Sequence, residues 1–178
     1  YLFTPPAFVG NPNLQPATAN TDNAGYAWAT ARVQISADYY LARVENGITF
    51  DLSRQPFTYA NLRTYTSQGT NLGAAVSLPG GFTPSLSYTF NRREDQDGIE
   101  IGGFARHSAF LKVLWASNRL GLRANIRGQV LGDVPPAPDG SYQSGYQVWN
   151  AQVSQRLLRR GPNVVGLYLQ MGNLFDEG

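Results

Sequence analysis

The 178-residue sequence contains no cysteine and a single histidine, His107. The absence of cysteine excludes a disulfide framework and a thiolate metal site, and one histidine excludes a multi-histidine metal centre. Charged residues make up only 15% of the chain, well below the ~25% that is usual in soluble globular domains. Serine, threonine, asparagine, glutamine and glycine take the place of the missing charges.

The sequence also lacks a run that could cross a membrane as one helix. Its longest stretch without a charge, residues 64–91, contains Pro79, Pro84 and the glycine pair 80–81, which no continuous helix tolerates. The first residues have neither the charged nor the apolar region of a secretion signal. We therefore expect that a signal was removed or that residues lie upstream. Basic residues form only short tracts, which argues against nucleic-acid binding.

Alternation of apolar and polar residues is the dominant pattern that is present. In residues 120–130, Leu122 and Ile126 share one set of alternate positions, and Arg123 and Arg127 share the other. A helix of period 3.6 would mix these two sets, so the segment is predicted to be a β-strand.

The same alternation recurs often enough to predict eight strands. They fall near residues 20–31, 33–42, 72–78, 85–91, 108–115, 120–130, 149–157 and 165–172. Most approach the ~10 residues that a tilted strand needs to cross a bilayer, and they exceed the 5–6 residues that are usual in soluble sheets.

The connections between these strands alternate between short and long. Short ones are expected near residues 31–32, 79–81, 117–119 and 159–163, and long ones near 44–60, 92–105 and 132–145. Short turns at one end and long loops at the other are typical of outer-membrane barrels, in which the short turns are periplasmic.

The alternation alone is compatible with an apolar face toward lipid or toward a protein core. Strand length, loop sorting and aromatic residues near strand ends favour lipid. We therefore predict an all-β chain, an antiparallel up-and-down transmembrane β-barrel. Two alternatives stay open: a self-closed eight-stranded outer-membrane barrel with a structural or adhesion role, and a soluble β-sandwich binding module. Pairing of the first strand with the last would indicate the closed barrel.

Four short motifs give the chain a family resemblance. Residues 10–16 (GNPNLQP) resemble an NP-x-L-x-P-E stretch with Ala17 in place of glutamate, and residues 66–72 (TSQGTNL) resemble T-x-G-x-E-L with Asn71 in place of glutamate. Residues 87–90 (SYTF), an acidic loop and then Arg106 and His107 are similar to a strand pair with SYT and RH signatures. Residues 172–176 (GNLFD) match an NLFD signature. These motifs, in this order, resemble the TonB-dependent outer-membrane receptors.

The resemblance implies about 22 strands closed around a separate N-terminal plug. We therefore expect residues 1–178 to be about eight strands of a larger barrel, truncated at both ends and without the plug. The implied function is energy-coupled uptake of a scarce nutrient (a metal–siderophore chelate, a corrinoid or a glycan) across a Gram-negative outer membrane. The implied partners are membrane lipid and lipopolysaccharide, the TonB energy-coupling system acting through a plug outside this chain, and a small-molecule ligand. No nucleic acid, enzymatic activity or cofactor is expected.

Three sets of residues are candidates for specific roles. Arg123, Arg127 and Arg156 are predicted to form a basic strip on the lumenal face, which would attract an anionic ligand or acids of a plug. Trp28, Trp115 and Trp149 are predicted to lie at the membrane interfaces. The loop at residues 94–100 contains four acids, and Asp95, Asp97 and Glu100 are a candidate calcium site, although their spacing does not fit an EF-hand.

His107 is the only residue that suggests catalysis. A hydrolase site would need a nucleophile and an orienting group beside it. Ser108 is adjacent, but in a strand it points to the opposite face. His107 is therefore expected to be a polar residue at the membrane interface.

Overall fold

The computed structural model describes residues 9–51, 56–61, 64–136 and 143–175. Ten β-strands and one short 3-10 turn, Pro79–Gly81, make up the regular structure of these residues. The strands are β1 (Thr18–Ala29), β2 (Val33–Glu45), β3 (Ile48–Asp51), β4 (Thr58–Asn61), β5 (Tyr65–Val76), β6 (Phe82–Asp95), β7 (His107–Ser117), β8 (Leu122–Leu131), β9 (Tyr146–Arg160) and β10 (Asn163–Met171). No helix within the described ranges is long and apolar enough to span a membrane.

Eight of the strands form one antiparallel sheet in the order β1-β2-β5-β6-β7-β8-β9-β10. These are the eight strands that the alternation predicted, so the all-β, up-and-down prediction is confirmed. The sequence reasoning missed the separate hairpin of β3 and β4, which lies inside the first long connection. Its strands have four residues each, too few for an alternating pattern to stand out.

The short connections lie at one end of the strands and the long connections lie at the other end, as predicted. Short turns join β1 to β2, β5 to β6, β7 to β8, and β9 to β10. The three longer connections, β2 to β5, β6 to β7 and β8 to β9, all leave the opposite edge. We call the two ends of the strands the short-turn edge and the loop edge, as distinct from the edge strands β1 and β10.

Cross-strand register shows that the sheet has one apolar and one polar face. Ile126 pairs with Val113 and Ala151, so these apolar residues share a face. Arg127 pairs with Lys112 and Asn150 on the other face. On β2, β6 and β8 the apolar set spans nine residues, about 27 Å along the strand. A barrel tilt of 35–45° reduces this height to about 20 Å, near the ~25 Å apolar band of outer-membrane barrels.

Neither face of the sheet is covered by a second layer of described residues. No described hydrophobic residue is buried, and Leu167 and Leu169 are 66% and 62% exposed. A water-soluble β-sandwich would bury these side chains between two sheets, so the structure contradicts that alternative.

The sheet is also open. Among the described strands, β1 pairs only with β2, and β10 pairs only with β9. A self-closed eight-stranded barrel requires β1 to pair with β10, so the structure does not have the arrangement of that second alternative. The fold is that of a wall segment with two edge strands.

A β-bulge interrupts the pairing of β9 with β10. The register shifts between Val165 and Gly166, so that Arg156 pairs with Gly166 while Leu158 pairs with Val165. Leu157 is the extra residue. The sequence pattern placed Leu157 in simple alternation with Val153, because period two alone gives no sign of a bulge. The bulge increases the local twist of β9 near the short-turn edge.

Candidate functional site

The β6–β7 connection at the loop edge is held by its own hydrogen bonds. The Asp95 carboxylate accepts the backbone N–H groups of Asp97 at 2.9 Å and Ile99 at 2.8 Å. The N–H of Ile101 donates to the Arg93 carbonyl at 2.8 Å, and Gly98 takes a φ of 77° that glycine adopts without strain. The acidic segment is therefore a closed turn with a fixed backbone.

An arginine between two aromatic rings anchors this connection to the polar face. The guanidinium carbon of Arg93 lies 4.2 Å from the centre of the Phe104 ring and 5.4 Å from that of Tyr65. The Arg93 Nε atom is buried, with no hydrogen-bond partner among the described atoms. Cation–π attraction within ~6 Å is worth roughly 0.5–2 kcal/mol, more when the cation is desolvated. The Arg93 clamp, comprising Tyr65, Arg93 and Phe104, thus ties the loop to β5 and β6.

A charged pair closes the same connection farther along the chain. Arg106 Nε donates to Glu100 Oε1 at 2.5 Å, and Arg106 Nη2 donates to Glu100 Oε2. This hydrogen bond from Arg106 lowers the pKa of Glu100, and the same bond raises the pKa of Arg106. The side chains are 16% and 47% exposed, so solvent screens the pair and it fixes geometry more than it adds stability.

The β6–β7 and β8–β9 connections pack against each other. A Cβ added at Gly102 would overlap the Pro136 carbonyl oxygen and lie 2.5 Å from that of Pro135, so only glycine permits this close backbone approach. Farther along, Asp133 Oδ1 accepts the N–H of Gly145 at 2.8 Å. The two loops therefore form one continuous surface at the loop edge.

The hairpin of β3 and β4 is attached to the segment that precedes β1. Asn61 Nδ2 donates to the carbonyls of Gln15 and Asn46, each at 2.8 Å, and Asn61 Oδ1 accepts the Gln15 N–H at 2.9 Å. Asn11 Nδ2 donates to the Tyr59 carbonyl at 2.8 Å. These bonds hold the β2–β5 connection in place beside the start of β1.

The residues of the calcium prediction have other partners within the turn. Asp95 accepts two backbone N–H groups and Glu100 pairs with Arg106, while Asp97 is exposed. Among the described residues, no group of three or more His, Asp or Glu side chains is arranged to hold a metal ion. Calcium binding stays a prediction, which calorimetry on the wild type and an Asp95→Asn, Asp97→Asn variant would test.

The three arginines of the predicted basic strip share the polar face. Arg123 and Arg127 lie on β8, opposite Ser154 and Asn150 of β9. Arg156 lies on the same side of β9, two positions beyond Ser154 and nearer the short-turn edge. The register adds Lys112, which lies directly opposite Arg127 and which the sequence reasoning left out of the strip.

The three tryptophans of the interface prediction lie on the apolar face. Trp28 and Trp115 are near the short-turn edge, where Trp115 Nε1 donates to the Gly80 carbonyl at 2.9 Å. Trp149 is nearer the loop edge, and its Nε1 donates to Gln147 at 3.0 Å. Their placement in two rows at different heights supports an interfacial role, which stays a proposal.

His107 lies on the apolar face at the loop edge, opposite Phe90. Its Nδ1 is 2.7 Å from the Tyr88 hydroxyl, and its ring centre is 5.2 Å from that of Phe90. Ser108 pairs with Thr89 on the polar face, so these neighbours point apart as the sequence indicated. The surroundings of His107 are aromatic, which fits the interfacial role expected for it.

Sequence reasoning missed the residues that organise the loop edge. Arg93, Phe104 and Asn61 lie in segments without alternation, and their contacts depend on which strands become neighbours. The one available signal was Arg93 itself, a charged residue that lies just before a turn rather than in mid-strand. Asp176 of the NLFD signature lies outside the described residues.

An open, one-layer antiparallel sheet with an exposed apolar face, short turns at one edge and organised long loops at the other is the wall of an outer-membrane β-barrel. The comparison with known families agrees with this class. Residues 1–174 match the family model described as "TonB dependent receptor-like, beta-barrel". The chain belongs to this family of outer-membrane receptor barrels and lies in the bacterial outer membrane. No curated protein matches the sequence significantly.

Solved structures show the same fold. The chain is similar to the copper transporter OprC, with a TM-score of 0.81 and 18% identity, over 93% of this chain and 26% of that one. It is similar to the ferric enterobactin receptor PfeA of Pseudomonas aeruginosa, with a TM-score of 0.76 and 16% identity, over 96% and 28%. It is also similar to the ferric-catecholate import receptor Fiu of E. coli K12, with a TM-score of 0.67 and 19% identity, over 93% and 24%. The chain thus spans about a quarter of these proteins.

Proposed function

We propose that the chain is part of the barrel wall of a receptor that captures a scarce nutrient and imports it with energy from the TonB system. The nutrient would be a metal–siderophore chelate, a corrinoid or a glycan. The observation that carries the proposal is the loop edge, where three long connections are tied down by side chains within a family of nutrient receptors. Connections fixed in this way lose little conformational entropy when a ligand binds.

The mechanism proposed for this receptor has two stages. The long connections and the polar wall capture the ligand, and a plug domain of the receptor rearranges when the energy-coupling system acts on it. The chain itself would supply surface and make no covalent change to the nutrient. The pair of loops joined at Gly102 is the proposed capture surface, with the Arg93 clamp fixing its base.

An uptake assay separates this function from a structural role. Cells without the protein would be supplied in turn with a radiolabelled ferric siderophore, a corrinoid or a glycan as the limiting nutrient. We expect loss of uptake of one class, and recovery on re-expression. Inactivation of TonB should abolish uptake while surface binding persists. Unchanged uptake of all three classes in the deletion strain would contradict the proposal.

We also propose that these eight strands are a segment of a larger barrel, with the two edge strands completed by further strands of the same protein. The open edges of β1 and β10 support this, because an exposed strand edge leaves a row of backbone groups unpaired. Intact-mass analysis of the protein from its source tests the proposal. A natural chain of 178 residues would contradict it.

A further inference from the structure

A pocket lies at the short-turn edge, far from the long connections, and its three charged lining residues belong to the polar face. Its volume is about 460 Å³, and its lining includes Arg123, Arg156 and Arg159 together with Ser154 and Tyr168. This volume is within the roughly 300–1,000 Å³ of small-molecule sites. We call these five residues the arginine pocket.

Strand register brings the five side chains to one face. Ser154 of β9 pairs with Arg123 of β8 and with Tyr168 of β10. Beyond the bulge, Arg156 pairs with Gly166, and Arg159 pairs with Val164. The bulge is needed for this arrangement, because it inserts one residue between the two arginines and keeps both on the polar side.

The turn between β7 and β8 fixes one wall of the pocket. Gly121 has a φ of 63°, and its carbonyl accepts the Arg156 N–H at 2.8 Å. A Cβ at Gly121 would lie 3.3 Å from the Arg156 Cβ and 3.6 Å from its Nε. The Arg156 side chain therefore runs along the turn.

The charged residues around the pocket are all positive. None of the residues that line it is acidic, and β7, β8, β9 and β10 contain no aspartate or glutamate. On the same face Lys112 lies directly opposite Arg127, and like charges directly opposed in a sheet destabilise it. The positive field of these residues would draw an anion to the pocket.

We propose that the arginine pocket binds a small, multiply charged oxyanion that carries phosphate or carboxylate groups. The guanidinium fork matches the two oxygens of either group, and the Ser154 and Tyr168 hydroxyls supply further donors. The site goes beyond nutrient capture, because it lies at the edge opposite the capture surface and does not depend on which nutrient is imported. It requires only that the polar face line the barrel lumen.

Calorimetry with two probes tests the pocket. The purified protein in detergent would be titrated with inorganic pyrophosphate and, separately, with citrate, which distinguishes the phosphate from the carboxylate source. We compare the wild type with an Arg123→Gln, Arg156→Gln double variant and with Arg159→Gln. Arg160→Gln is the matched control, since Arg160 is the next residue of β9 and pairs with Asn163 outside the pocket lining.

We expect saturable binding of one probe, with one site per chain. The dissociation constant should rise about tenfold or more in the double variant, and less than about twofold in Arg160→Gln. If the double variant fails to fold, Arg159→Gln decides alone, with an expected rise of severalfold. No saturable binding of either probe, as would follow if acidic side chains of the rest of the protein fill the pocket, would overturn the proposal. Equal affinity in all variants would also overturn it.

Discussion

Individual side chains decide how well the loop edge is ordered. The strands are held by backbone pairing, whereas the long connections depend on single residues such as Arg93, Glu100 and Asn61. In a strand, the neighbouring strand supplies the hydrogen bonds and contacts. In these connections the three side chains supply them instead. Changes at these positions should therefore alter the loops while the sheet stays intact.

The Glu100–Arg106 pair predicts a response of the β6–β7 loop to acid. The pKa of Glu100 is lowered from 4.5 by its bond to Arg106, so the stabilisation is present above pH 4.5 and is lost as pH falls through the lowered pKa. The chain has no cysteine, so an Asp97→Cys variant carries a single spin label. We expect the label to be less mobile at pH 7 than at strongly acidic pH.

A Glu100→Gln variant is the control for this titration. It should make the label more mobile already at pH 7 and reduce the change on acidification. If the acid transition is identical in that variant, the role assigned to Glu100 is wrong.

The Arg93 clamp predicts a second change confined to the loop. An Arg93→Met substitution keeps an apolar stem but removes the cation between Tyr65 and Phe104, at a cost of roughly 0.5–2 kcal/mol. Hydrogen exchange of the loop amides at residues 97–104 should accelerate several-fold. Arg43→Met, on β2 opposite Thr66, should leave these amides unchanged. Equal acceleration in both variants would contradict the role of the Arg93 clamp in ordering the loop.

At the scale of the elements, alternation carried most of the information. The strands around Leu122 and Val33 were predictable because one face meets an apolar medium and the other a polar one, which imposes period two. The hairpin of β3 and β4 was not predictable, since it is not paired with the large sheet and its residues are not divided into an apolar and a polar face. The bulge at Leu157 was not predicted, because it changes the pairing of β9 with β10 without changing the amino-acid composition.

The same reasoning explains what was predictable of the candidate sites. A shared face for Arg123 and Arg127 follows from their spacing on one strand. The arginine pocket does not, because Arg156 and Arg159 come to the same side only through the bulge. The packing of Gly102 against Pro135 and Pro136 likewise depends on two loops meeting in space.

The hairpin of β3 and β4 provides a prediction for one element. Asn61→Ala removes three hydrogen bonds to Gln15 and Asn46, each worth about 1 kcal/mol net. Exchange protection of residues 48–51 and 58–61 should fall by more than tenfold. Asn11→Ala removes a single bond to Tyr59 and should have a smaller effect. A larger effect of Asn11→Ala would contradict the assignment of Asn61 as the main link.

At the scale of the whole molecule, the apolar face takes the role that a buried core has in soluble proteins. The described residues bury no hydrophobic side chain, so the stability of the sheet depends on hydrocarbon against that face. Membrane placement and the lumenal position of the polar face follow together, because adjacent residues of a strand point to opposite sides.

Adjacent substitutions on β8 should therefore differ sharply. An arginine at position 126 (Ile126→Arg) would face lipid and is expected to destabilise the protein by about 2–4 kcal/mol. Asn125→Arg, one residue away, places the charge on the face that already holds Arg123 and Arg127, and should destabilise the protein less. Urea-induced unfolding in lipid vesicles measures both. Equal destabilisation would indicate that both positions have the same surroundings.

The side of β8 that contacts hydrocarbon can be measured directly with single spin labels placed in turn at residues 122–130 in lipid vesicles. Collision rates with oxygen, which concentrates in lipid, are compared with those of a water-soluble nickel complex. We predict oxygen maxima at Leu122, Ala124, Ile126 and Val130, and nickel maxima at Arg123, Asn125, Arg127 and Gln129. Gly128 is left without a label, because the Trp149 ring covers it. Low accessibility to both reagents at Leu122, Ile126 and Val130, or the reversed alternation, would contradict the membrane-barrel account.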